Sequence, residues 1–102
     1  MEEIKQLIED MWEELHDCEK YTKSAFKCKD KNKTKADMFM QNAREEYTHF
    51  ERLHEQAIKY LNHMRDANGN LPDDIHTIWD WEADKLLDRA AYVKNMMTTL
   101  RQ

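Results

Sequence analysis

The chain has one glycine and one proline in 102 residues, Gly69 and Pro72, and they stand three positions apart. Ordinary usage would supply roughly seven of the first and five of the second. These two residues are the strongest local interrupters of helix, through excess backbone freedom in one case and a missing N–H in the other. Their confinement to one short stretch leaves the rest of a sequence rich in Glu, Lys, Met, Leu and Ala free to run as long helices. Asn68-Gly69-Asn70-Leu71-Pro72 reads as an Asn-Gly turn leading into a helix that starts at the proline. The second interruption is Lys29-Asp30-Lys31-Asn32-Lys33, and it ends at Thr34, with Asp37 three residues on as a variant capping box. Helices near 3–29, 34–67 and 72–101 follow, each about 40 to 50 Å long. At this length residues 1–102 form one domain with one core. The fold class predicted is all-α, three long antiparallel helices.

No stretch approaches the roughly 20 apolar residues of a membrane span, and the opening MEEIKQLIEDMWEEL is acidic where a signal peptide would be basic. The expectation is a cytoplasmic protein with no membrane partner. Cys18 and Cys28 are ten residues apart on one helix, about 15 Å along its axis, so they are expected as free thiols. Charge is unevenly spread: residues 1–19 hold eight acids and one Lys, residues 20–35 seven Lys and one Asp. A basic run from Lys20 to Lys35 suits an anionic partner, and it equally suits a solvated helix end that complements the macrodipole.

On a wheel of about 100° per residue each helix shows one apolar stripe. The first holds Leu7, Met11, Cys18, Tyr21, Ala25 and Cys28, flanked by Ile4. The second holds Phe39, Ala43, Phe50, Leu53, Ala57, Leu61 and Met64, and the third Ile75, Ile78, Trp79, Leu86, Val93, Met96, Met97 and Leu100. Two carboxylates break the pattern, since the wheel places Glu14 and Glu46 at the centres of the first two stripes. A carboxylate in an apolar core must be paired, protonated or bound to metal. Glu46-x-x-His49 sets an oxygen and an imidazole nitrogen one turn apart on one face. A Glu from one helix with a Glu-x-x-His from the next is the inward ligand pattern of carboxylate-bridged bundles that hold two iron or two manganese ions.

Over residues 11–54 the order Glu14, Tyr21, Ala25, Phe39, Ala43, Glu46, His49 resembles the ferritin-like superfamily, rubrerythrin-type helix pairs in particular. Asp17-Cys18-Glu19-Lys20-Tyr21, Leu53-His54-Glu55-Gln56 and Trp79-Asp80-Trp81 also resemble segments of small ferritin-like proteins of phages and prophages. The resemblance implies a half-bundle completed by homodimerisation or higher homo-oligomerisation. It implies Glu14 and Glu46 as ligands of iron or manganese, Glu46 bridging and His49 terminal. Iron oxidation, storage or detoxification, with ferroxidase-type oxidoreductase activity, would be the corresponding function. Glu82, central in the third stripe with Arg89 two turns on, is a second-tier ligand or a carboxylate that Arg89 neutralises. The third helix lacks a Glu-x-x-His, and residues 1–102 offer neither a fourth helix nor a Cys-x-x-Cys module to supply electrons.

The alternative is a metal-free helical interaction protein of phage type, binding a host protein or an anionic ligand. Other candidates have plainer roles. Asp17 lies about 60° off the stripe centre and reads as a boundary residue. Tyr21 suits either a hydrogen bond to a ligand carboxylate or the core edge. His16, His63 and His76 fall on polar faces, and His54 at a boundary.

Overall fold

The computed structural model describes residues 1–101 as three helices: α1 (Glu2–Cys28), α2 (Lys33–Asn68) and α3 (Asp73–Arg101). No strand occurs among the described residues, and both interruptions fall where the sequence places them. α2 has 36 residues, about 54 Å of helix, and it sets the 56 Å long dimension of the molecule. The other two dimensions are 19 and 17 Å, so the molecule is a rod.

The helix ends differ in detail from the capping box read at Thr34. Asn32 caps α2: its Oδ1 accepts the Lys35 N–H at 3.0 Å, and its carbonyl accepts from Ala36. A short amide side chain suits this position, because it satisfies one of the orphan N–H groups of the first turn. At the far end Gly69, at φ +80°, closes α2 by donating its N–H to the Arg65 carbonyl at 2.7 Å. A residue with a Cβ is strained in that conformation. Pro72 accepts the His76 N–H at 3.0 Å and opens α3. Asn32→Ala is expected to cost about 1 kcal/mol of stability, whereas Thr34→Ala stays within about 0.5 kcal/mol; urea melts of the two variants discriminate the caps.

Core positions follow a coiled-coil rhythm. In α1, Ile4, Ile8, Met11, Leu15, Cys18, Thr22 and Ala25 are buried, spaced alternately by four and three residues. In α2, Ala36, Ala43, Phe50 and Ala57 repeat every seven, joined by Leu61. A 3.5-residue repeat keeps one seam of each helix against its partner, and alanine at three of these α2 positions lets the two backbones approach closely. The chain runs up, down, up. Tyr21 meets Phe39 and Glu14 meets His49, as antiparallel α1 and α2 require. Trp12 meets Glu82 and Glu19 meets Arg89, so α1 and α3 are parallel, in a constant register of 70 residues.

α3 packs mainly on α1 through Ile75, Leu86, Ala90 and Val93, and touches α2 sparingly, at His54 with Trp79 and Tyr47 with Lys94. The bundle is therefore three-sided with unequal seams. Cys18 and Cys28 are free thiols. Burial pushes the Cys18 thiol up to about 12, and its Sγ lies 3.6 Å from Met97 Sδ, so it behaves as a small core residue. Among the described residues no helix is long and apolar enough to cross a membrane.

Candidate metal centre

Glu14 does not occupy the middle of the α1 core. The buried α1 residues centre about 80° around the helix from it, toward Leu15 and Thr22, and the buried α2 residues centre about 50° from Glu46. Both carboxylates stand at the margin of the α1–α2 seam, with side chains 24% and 22% exposed. That margin faces away from α3. Around α1, Trp12 and Glu19, which meet α3, lie about 160° and 140° from Glu14. Around α2, Tyr47 and His54, which also meet α3, lie at similar angles from His49. The same margin carries the half-buried Leu7, Tyr21, Phe39, Leu53 and Tyr60.

Three side chains converge there. One ligand atom from each of Glu14, Glu46 and His49 can be chosen so that all lie within 4.8 Å of one another. His49 Nδ1 is 3.5 Å from Glu14 Oε2 and 3.9 Å from Glu46 Oε1. Two donors that share an ion at about 2.1 Å stand at most about 4.2 Å apart, so both separations suit a common ion. The one-turn spacing of Glu46 and His49 follows from their positions in α2; Glu14 is delivered by the antiparallel register with α1.

The electrostatics of the trio are those of an uncompensated acid. Glu14 Oε2 is fully shielded from solvent and has no hydrogen-bond partner among the described residues. Burial, reinforced by the Glu46 carboxylate beside it, raises Glu14 to about 7, and His49 opposes the shift. At neutral pH the Glu14 carboxyl is therefore only partly ionised. A divalent cation replaces its proton and supplies the missing partner of Oε2.

Glu82 is not part of this trio. Its Oε2 accepts the Trp12 indole N–H at 3.0 Å, across the α1–α3 seam. Arg89 does not neutralise Glu82 either; it donates to Glu19, a nearly buried acid that Lys23 Nζ also reaches at 2.8 Å. Lys23 and then Arg89 hold the Glu19 carboxyl below its ordinary range. Glu19 is the buried acid least visible in the sequence. Its one local signal is Lys23 four residues on, a spacing that usually marks a solvated pair. Asp17 is half-buried outside the trio, and Tyr21 stacks on Phe39 with ring centroids 6.3 Å apart. His16, His63 and His76 are exposed.

The fold and the trio define a class, a three-helix protein with a carboxylate-rich cluster at an open seam. No protein-family model, curated protein or solved structure matches the chain.

Proposed function

We propose that this protein binds iron or manganese through Glu14, Glu46 and His49, and that a second copy of the chain completes the site. The observation that carries the reading is the solvent-shielded, partnerless Glu14 Oε2 facing an imidazole and a second carboxylate. Two carboxylates with one imidazole form a hard, oxygen-rich donor set, which suits Fe²⁺ or Mn²⁺ better than a thiolate metal.

Three side-chain donors leave room in the coordination of either ion. The trio opens on the side of the α1–α2 seam that α3 leaves uncovered, among half-buried apolar side chains. A two-fold copy applied to this face covers those side chains and brings a second Glu, Glu-x-x-His set opposite the first. This is the half-bundle of the ferritin-like resemblance, and it accommodates the absence of a second Glu-x-x-His in the chain. Bound iron would supply redox chemistry of the ferroxidase kind, for oxidation, storage or detoxification of iron; bound manganese would supply Lewis acidity. In that setting Glu14 and Glu46 neutralise the ion, His49 supplies the nitrogen donor, and Leu7 and Leu53 limit access of water.

The experiment is metal analysis of protein purified without chelator, paired with sedimentation equilibrium. Expected are two metal ions per dimer and a near-complete loss of metal in Glu46→Gln with dimerisation weakened. Protein that remains monomeric at micromolar concentration and carries no metal after equilibration with Fe²⁺ or Mn²⁺ would overturn the proposal.

A further inference from the structure

On the opposite side of the molecule α1 and α3 border a cleft of about 500 Å³ lined by Lys20, Lys23, Lys27 and Arg89, with His16 and Ser24 beside them. We propose that this cleft binds a small anion carrying two or more linked phosphates. The inference does not depend on the metal reading, and it locates the anionic partner suggested by the Lys20–Lys35 run on one wall of the bundle.

Four cations line the cleft against one carboxylate, Glu19, an excess of three positive charges in a chain whose net charge is −5. Glu19 is 8% exposed and bridges the two walls, bonded to Lys23 of α1 at 2.8 Å and to Arg89 of α3. The Arg89 guanidinium is held a second time by the Tyr92 ring, 4.7 Å from its centroid. A guanidinium has five N–H donors, so the Glu19 bond and the aromatic stack fix its position with donors to spare. Two of the four cations are thus set in place before any ligand arrives, which lowers the ordering cost of binding. Lys23 and Arg89 still keep 57% and 43% of their side chains exposed.

The spacing selects the ligand. Lys20, Lys23 and Lys27 follow i, i+3, i+7 on one face, covering about 10 Å of helix axis. That is longer than a single phosphate group can bridge and suits a short chain of phosphates. A nucleic-acid strand suits it less, because six acids of residues 1–14 lie along α1 beyond one end of the cleft and repel a polyanion that extends that way.

The test is titration of the full chain with sodium tripolyphosphate, ATP or inorganic phosphate at low ionic strength, followed by backbone amide NMR shifts. Expected are saturable shifts at residues 20–27 and around Arg89 with tripolyphosphate, and at least tenfold weaker binding of inorganic phosphate. ATP binding more tightly than tripolyphosphate assigns the site to nucleotides; equal binding assigns it to the phosphate chain alone, and either supports the proposal. Lys20→Glu with Lys27→Glu weakens binding at least tenfold, while Lys31→Glu with Lys33→Glu, an equal change in net charge on the exposed turn, leaves it within twofold. Polyphosphates chelate metal, so Glu46→Gln serves as the separating arm and is expected to bind as the wild type does. No saturable shift at millimolar tripolyphosphate overturns the proposal. Equal losses in the two charge-reversal pairs, loss of binding in Glu46→Gln, or tighter binding of a ten-nucleotide RNA through the same residues would also overturn it.

Discussion

Mn²⁺ or anaerobic Fe²⁺, at about 100 times its dissociation constant, is expected to stabilise the metal-free protein by about 2.7 kcal/mol, a rise in thermal midpoint of roughly 10 °C or more for a domain this small. The gain arises because the ion binds the folded arrangement of Glu14, Glu46 and His49, which unfolding disperses. Two variants separate this from a purely structural role. Glu46→Gln keeps the shape but removes the charge, so its midpoint without metal equals or exceeds that of the wild type and it barely responds to added ion. Glu46→Leu behaves likewise, because replacing a poorly compensated carboxylate at an apolar margin is neutral or stabilising. Differential scanning calorimetry of the three proteins with and without metal gives the answer. A wild type whose midpoint does not move, or a Glu46→Leu that responds as the wild type does, sinks the assignment.

The metal-free protein should lose stability between about pH 4.5 and pH 7, against the usual trend for proteins rich in acids. Glu14 is raised to about 7 in the folded state from an ordinary value near 4.5, so across that window the folded form binds more protons than the unfolded form. Stability from this group is therefore complete below about 4.5 and is lost as pH rises through 7. Its size is on the order of 2–3 kcal/mol. Glu19 acts in the opposite sense: Lys23 and Arg89 depress it, so its contribution is present above the ordinary carboxylate value and disappears as pH falls below it. The two windows do not overlap, which allows them to be separated. Urea titrations at pH 5 and pH 8 should show the wild type losing more stability than Glu14→Gln over that interval. Bound Mn²⁺ should reverse the slope, since the ligands must be deprotonated to hold it. Parallel pH profiles for wild type and Glu14→Gln would exclude a raised Glu14 carboxyl.

Much of the architecture is written in short-range chemistry. Gly69 must close α2 because it adopts φ +80°, and Asn32 caps α2 from within the lysine-rich turn; both interruptions could be located to within a residue or two. The Glu46 and His49 pair was legible for the same reason, since three residues on a helix means one turn. Adding Glu14 required only that α1 and α2 be neighbours, which a short connection and antiparallel packing make the default.

Rotation of the helices was not legible in that way. A straight-helix wheel advances by 3.6 residues per turn, whereas the observed seam of α1 runs from Ile4 to Ala25 on a 3.5-residue rhythm, a drift of about 20° per heptad. Ile8, Leu15 and Thr22 therefore belong to the core and Glu14 to its edge. A second cause is that α1 serves two partners, and the buried arc is the sum of the faces turned to α2 and α3. The sequence determined by itself the all-α class, the three helices and their breaks, and the local pairing of Glu46 with His49, all of which depend on contacts within a few turns. Tertiary structure alone decided that Arg89 meets Glu19 and not Glu82, that Trp12 takes the Glu82 carboxylate, and that the Glu14 trio faces the uncovered side. Each of those outcomes depends on how α3 is rotated and shifted against α1, a quantity set by side-chain packing between segments 70 residues apart.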